Sequence, residues 1–286
     1  MDSPINGKTK RSIRLIPTFN CARLDVANTG VATFTLDRPE ALNALSPNMK
    51  ADCQAMVDFV DGNEDIKALV LTGEGRAFCA GGDVKGMTDR LANGPGPSRQ
   101  GIYEVHAWLQ RLHNIDCAVV AAVDGLAFGG GFSLALAADF VFASPKAKFC
   151  SVFSRIGLMP DMALAYTLPR VVGSAMAKDL MFTGRSITAE EAKELGIVHS
   201  IIEDGDVLSA AQDYAARIAQ GPKTAVALSK RLVNKTFQSN YGDIADAEAD
   251  GQTLLFTSDF AQEAVRRFVG KEPPLYNWDM MDKDGD

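Results

Sequence analysis

Two apolar runs, Ala68-Leu-Val-Leu-Thr72 and Ala118-Val-Val-Ala-Ala-Val123, each give way to a loop of very small residues and then to a helix-like pattern. The loops are Phe78-Cys-Ala-Gly-Gly-Asp83 and Leu126-Ala-Phe-Gly-Gly-Gly131. Short runs without a polar break suit strands buried on both faces, and strand followed by helix, twice over, is the pattern of a layered α/β core. Consecutive glycines lose much conformational freedom on ordering and offer no side chain to pack, so Gly129, Gly130 and Gly131 need a reason. One reason is close approach of helix to sheet. Another is exposure of backbone N–H groups that a helix start leaves without partners. Two such loops on neighbouring strands would aim two N–H groups at one oxygen, which is an oxyanion hole. The spacing is not the GxGxxG of a dinucleotide fold, and no GxSxG elbow makes Ser133 a nucleophile.

The rest of the chain fits around that core. Residues 21–36 alternate about Asn28-Thr29-Gly30, which predicts a hairpin. Ser46-Pro47 predicts a helix start, and Met49, Cys53, Met56, Val57 and Val60 follow at helical spacing over 47–60. Residues 87–114 read as a loop feeding a helix around Val105, Trp108, Leu109 and Leu112. Thr188-Ala-Glu-Glu191 predicts a capping box with Gly196 at the far end of the helix, and helical patterns continue over 206–220, 223–237 and 259–268. The expected division is a flexible tail over 1–20, an α/β core over 21–200 and a helical region over 201–286.

Composition narrows the function classes. A net charge of −7 over 286 residues argues against sequence-independent nucleic-acid binding, which needs a basic face. The five cysteines show no CxxC and only three histidines are present, without HxxxH spacing, so neither a metal site nor a disulfide framework is expected. Scattered thiols fit a reducing, cytoplasmic setting. The basic N-terminal segment lacks the apolar stretch of a signal peptide, and no apolar run approaches a membrane span.

Five segments carry a resemblance. LDRPEALNAL (36–45), LTGEGRAFCAGGDVKGM (71–87), AAVDGLAFGGGFSLALAADF (121–140), GLMPDMALAYTLPRVVG (157–173) and TGRSITAEEAKELGIV (183–198) are similar, in order, to the enoyl-CoA hydratase/isomerase (crotonase) superfamily. The resemblance covers about residues 21–275. It implies a ββα spiral core with a C-terminal helical trimerisation region, a homotrimer or dimer of trimers, and an acyl-CoA thioester as substrate. No cofactor is implied beyond the coenzyme A that the substrate carries. By motif, the N–H groups of Ala80 and Gly130 would hold the thioester oxygen, while Ala41, Leu42, Ala80, Gly81, Gly82, Asp83 and Gly130 would line the substrate path.

Ser133 and Phe153 stand where hydratases of this family carry their two glutamates, so water addition lacks its acid and base. Asp161, in Gly157-Leu-Met-Pro-Asp161, matches a carboxylate used by members that move a double bond from C3 to C2. One base serving C2 and C4 is sufficient for that reaction, and Asp161 is the candidate. Its alternative is a helix N-cap. Phe153, Leu158, Met159 and Met162 are expected to desolvate it. Isomerases commonly follow Pro-Asp with Gly-Gly, whereas this chain has Met162-Ala163. Phe153 also replaces the Trp of the dehalogenase branch. Lys230, Arg231 and Lys271 are candidates for CoA phosphates or for solvated surface charge. Hydratase-type activity with atypical residues and a non-catalytic acyl-CoA-binding member remain the alternatives.

Overall fold

The computed structural model describes residues 15–83, 86 and 95–281. Strands β1 (Ala22–Val26) and β2 (Val31–Leu36) pair antiparallel about the expected turn, in which Gly30 takes φ +84°. Helix α1 (Pro47–Val60) starts where Ser46 Oγ accepts the Met49 N–H at 3.2 Å and Pro47 occupies the first helical position. It buries the expected stripe of Met49, Cys53, Met56, Val57 and Val60.

From there one succession repeats. Strands β3 (Ala68–Gly73) and β4 (Ala77–Cys79) precede helix α2 (Pro95–His113). Strands β5 (Ala118–Val123) and β6 (Leu126–Phe128) precede α3 (Gly130–Ala135), and β7 (Phe140–Ala143) and β8 (Lys148–Cys150) precede α4 (Leu164–Thr183). With β9 (Ser186–Thr188) and β10 (Ser200–Ile201) included, the first strand of each unit joins a six-stranded sheet of order β1-β2-β3-β5-β7-β10 and the second joins a four-stranded sheet of order β4-β6-β8-β9. Strand β9, helix α5 (Ala189–Glu194) and strand β10 complete both sheets. This is the ββα spiral.

The central strands β2, β3 and β5 of the main sheet are buried on both faces, which explains the uninterrupted apolar runs of β3 and β5. Ala32, Phe34, Leu36, Leu69, Leu71, Val119 and Ala121 face a large core shared with α1, α2 and the second sheet. The alternate residues Val31, Ala68, Val70, Val120 and Ala122 meet helix α6 (Val207–Ala219). Helix α6 presents Val207, Ala211, Ala215 and Ala219, four residues apart on one face, and small side chains there let it lie close to the sheet.

Parallel strands β4 and β6 are out of step by one residue: Ala77 pairs with Leu126 and Cys79 with Ala127, so Phe78 is a bulge residue. Both strands therefore deliver their following loops to the same edge.

Two expectations need correction. Phe19 and Asn20 are docked rather than part of a tail: the Phe19 ring meets Phe34 at 5.6 Å, and buried Asp52 accepts the Asn20 and Cys21 N–H groups at 3.0 and 2.6 Å. The boundary at 200/201 falls inside β10, and α6 belongs to the core. Helix α8 (Tyr241–Phe256), between α7 (Lys223–Lys235) and α9 (Asp259–Gly270), carries no stripe that announces it. Thr188 Oγ1 accepts the Glu191 N–H at 3.3 Å, so that half of the expected capping box forms, with Gly196 at φ +78° beyond the helix end. The loop expected over residues 87–94 lies outside the described residues.

Candidate active site

The three consecutive glycines do three different things. Gly129 precedes α3 with φ +52° and ψ −122°, a conformation closed to ordinary L residues. Gly130 opens the helix, so its N–H has no partner within it. A Cβ on Gly131 would lie 2.0 Å from the Cys79 carbonyl oxygen, so this residue lets the helix pack onto β4. The packing explanation holds for Gly131, while Gly130 keeps a backbone donor for other use.

The loop after β4 meets the loop after β6 through Gly81. A Cβ on Gly81 would lie 2.7 Å from the Phe128 oxygen and 3.2 Å from the Gly130 nitrogen. On its other side the loop is stitched to residues 42–45: the Ala80 N–H donates to the Leu42 carbonyl at 2.9 Å and the Leu45 N–H to the Gly81 carbonyl at 2.7 Å. These bonds correct the expected donor. The Ala80 N–H is already engaged. In a trans peptide the C=O and the next N–H point in opposite directions, so the Gly81 carbonyl facing Leu45 turns the Gly82 N–H away from it. Gly81 at φ +95° permits that rotation, and Gly82 is exposed.

The other residues assigned to the substrate path converge on the same place. Ala41 ends the short 3-10 turn Pro39–Ala41, and Leu42 follows in the left-handed region at φ +52°. Asp83 is committed to Arg38, whose Nη1 lies 2.8 Å from its carboxylate, so it clamps the 38–42 turn to the 80–83 loop. The sequence did not single out Arg38. Burial pushes the Cys79 thiol up to about 12, which keeps it protonated behind the loop.

Asp161 is brought to the same region through its neighbours. Ser133 Oγ lies 3.0 Å from the Asp161 carbonyl and 3.3 Å from that of Gly129, so the residue at the first hydratase-glutamate position ties the Asp161 segment to α3. Met162 is 5% exposed, and a Cβ on Gly130 would lie 2.9 Å from its sulfur. The N-cap position of α4 is held by Ala163, without a side-chain cap, so Asp161 is not the N-cap residue. Met162 and Ala163 adopt φ +51° and +62°, the conformation a Gly-Gly pair would take without cost. Phe153 is buried, as expected, but Leu158 and Met159 are 51% and 77% exposed, so only part of the expected apolar surround forms.

Asp161 lines a cavity of about 720 Å³ with His106, Leu109, His113 and Tyr166, and it is the only carboxylate among the described residues of that lining. Burial, and next the Lys230 charge, hold His113 below its ordinary value. The phosphate candidates fare unevenly. Lys230 is buried, with Nζ 2.9 Å from Asp139 Oδ2 and 3.1 Å from the Cys117 carbonyl, so it is an internal ion pair. Arg231 pairs with Asp116, and exposed Lys271 ends α9.

The sequence profile described as enoyl-CoA hydratase/isomerase matches residues 26–279. The 1,2-epoxyphenylacetyl-CoA isomerase of Escherichia coli K12 is 35% identical over 251 residues, spanning 86% of this chain and 95% of that protein. The short-chain-enoyl-CoA hydratase of Clostridium acetobutylicum is 31% identical over 242 residues, 84% of this chain and 92% of that protein. Among solved structures, an enoyl-CoA hydratase/isomerase from Cupriavidus metallidurans CH34 superposes with a TM-score of 0.86 at 33% identity, over 91% of this chain and 97% of that one. Strand order, glycine loops and sequence agree: the chain belongs to the enoyl-CoA hydratase/isomerase family and has the crotonase fold.

Proposed function

We propose that this chain is an acyl-CoA isomerase that moves a double bond from C3 to C2 of an enoyl thioester, with Asp161 as the single proton carrier. The observation that carries the reading is that Ser133 ties the Asp161 segment to α3 and Met162 lies against Gly130, so that Asp161, the only carboxylate among the described residues of its cavity lining, stands next to the proposed donor. The Gly82 and Gly130 N–H groups receive the thioester oxygen. Asp161 removes the C2 proton, the C2–H electrons delocalise onto that oxygen as a dienolate, and the same carboxyl group returns the proton at C4 while the C2–C3 double bond forms. Two backbone donors stabilise the charge where it develops, and one base suffices because the proton is conserved.

Hydration would need an acid and a base for water, and Ser133 and Phe153 supply neither. The name of the Escherichia coli relative supports isomerase chemistry, whereas that of the Clostridium relative names a hydratase. The reading includes no cofactor apart from the coenzyme A of the substrate, a cytoplasmic setting, and a homotrimer or dimer of trimers. In support of the setting, Cys53, Cys79, Cys117 and Cys150 are buried free thiols, and no helix among the described residues is long and apolar enough to cross a membrane.

The test compares wild type with Asp161→Asn, using conversion of a 3-enoyl-CoA to its 2-enoyl isomer and, separately, water addition to crotonyl-CoA. Wild type is expected to isomerise far faster than it hydrates. Asp161→Asn should bind acyl-CoA as before and lose isomerase activity by about 10²-fold or more, the range for removing a positioned base. Equal rates for the two proteins would remove Asp161 from the mechanism. Binding without any conversion by wild type would favour a non-catalytic acyl-CoA-binding role.

A further inference from the structure

Asn43 has no exposed surface, sits in the left-handed region at φ +55°, and spends its whole side chain on backbone groups. Its Oδ1 accepts the Arg38 N–H at 2.9 Å, and its Nδ2 donates to the Ala77 carbonyl at 2.7 Å and the Glu74 carbonyl at 3.0 Å. The amide thus joins the 38–42 turn to the β3–β4 connection. Gly73 leaves room for it, since a Cβ there would lie 2.7 Å from Nδ2. Only an amide supplies one acceptor and two donors at this spot, and asparagine tolerates the left-handed region better than most residues.

Asn43 lies between the two residues that grip the glycine loop. Leu42 takes the Ala80 N–H and Leu45 gives its N–H to the Gly81 carbonyl. The orientation of the Gly81–Gly82 peptide is therefore set by a segment whose own position depends on the Asn43 amide. We propose that Asn43 is a positioning residue that aims the Gly82 N–H at the substrate carbonyl. This rests on the oxyanion-hole reading given above. Loss of the amide leaves the donor in place chemically but misdirects it, and displacement of a catalytic group by about 1 Å can cost 10²-fold in rate.

The experiment uses the full chain and butyryl-CoA carrying ¹³C at the thioester carbonyl, followed by infrared difference spectroscopy, with isomerase turnover, free-CoA affinity and a melting curve alongside. Wild type should shift the carbonyl band to lower frequency. Asn43→Gly, which tolerates the left-handed dihedrals, should move the band back towards the free position and lower turnover by about 10²-fold, while the affinity for free CoA, which has no thioester carbonyl, reports separately any loosening of the 38–42 turn. An unmoved band in Asn43→Gly overturns the proposal, whether turnover falls or not. If the glycine variant does not fold, Asn43→Ser, which keeps an acceptor and one donor, should give an intermediate band, and a wild-type band there overturns it equally. Absence of any shift in wild type refutes the oxyanion hole itself, an outcome distinct from failure of Asn43.

Discussion

The His113 ring stands edge-on to Tyr166 at 6.1 Å, and its carbonyl accepts the Asn234 amide at 2.9 Å. Burial is the larger cause of its lowered pKa and Lys230 the next, while Asp139 acts in the opposite direction. The sign follows from linkage. Below its ordinary value of 6.5 the unfolded chain binds a proton that the folded chain resists, so this contribution is full above that pH and is lost as pH falls. His199, also lowered by burial, adds a term of the same sign. His113→Gln should therefore lose less Tm than wild type between about pH 7 and 5, the range in which histidines ordinarily titrate. Superimposable Tm profiles would show that His113 does not contribute. Close by, Met162 and Ala163 hold left-handed dihedrals at roughly 1–2 kcal/mol each. The Ser133 bond and Met162 burial hold that strained turn beside Asp161 in place.

At the scale of elements, the contact of α3 with β4 leaves no room for a side chain. Gly131→Ala places a methyl carbon 2.0 Å from the Cys79 oxygen, which is main chain and cannot swing aside. Overpacking of this kind costs about 1–3 kcal/mol, sometimes more, and in a chain of this size each kcal/mol lowers Tm by about 2–4 °C. Turnover should fall as well, because Gly130 moves with the helix. A variant that melts and turns over like wild type would refute this account of the third glycine. Strands β1, β2, β3 and β5, helix α1 and the glycine loops were legible because local pattern decides them, whereas β4 and β6 to β10 are too short to carry a pattern of their own. Helix α8 was not: it has no buried residue, and its start rests on the reciprocal Asn240–Asp243 cap rather than on an apolar stripe. The donor was misassigned to Ala80 because peptide orientation there depends on Leu42 and Leu45, far away in sequence. Lys230 was misjudged for a similar reason, since its partner Asp139 lies 91 residues off.

For the whole molecule, the surface of α8 and α9 bears on assembly. Neither helix buries a residue in the isolated chain, and Leu254, Phe256, Val265, Phe268 and Val269 are 52–85% exposed. Apolar surface of this extent marks an interaction site. Light scattering should give a trimer or hexamer at micromolar concentration, and Phe256→Asp with Phe268→Asp should shift it towards monomer. A wild-type monomer would refute assembly through these helices. The bulge at Phe78 has a consequence for how the protein varies. Strands β4 and β6 run side by side and each releases one glycine loop, so their alignment is the gauge that sets the gap between those loops. A slip of one residue along a strand is about 3.3 Å, more than the length of a hydrogen bond. The spare residue works as a shim of fixed thickness: a residue gained or lost between Ala77 and Gly81 changes the width of the gap, while length changes in the connections that enter the same strands leave it alone.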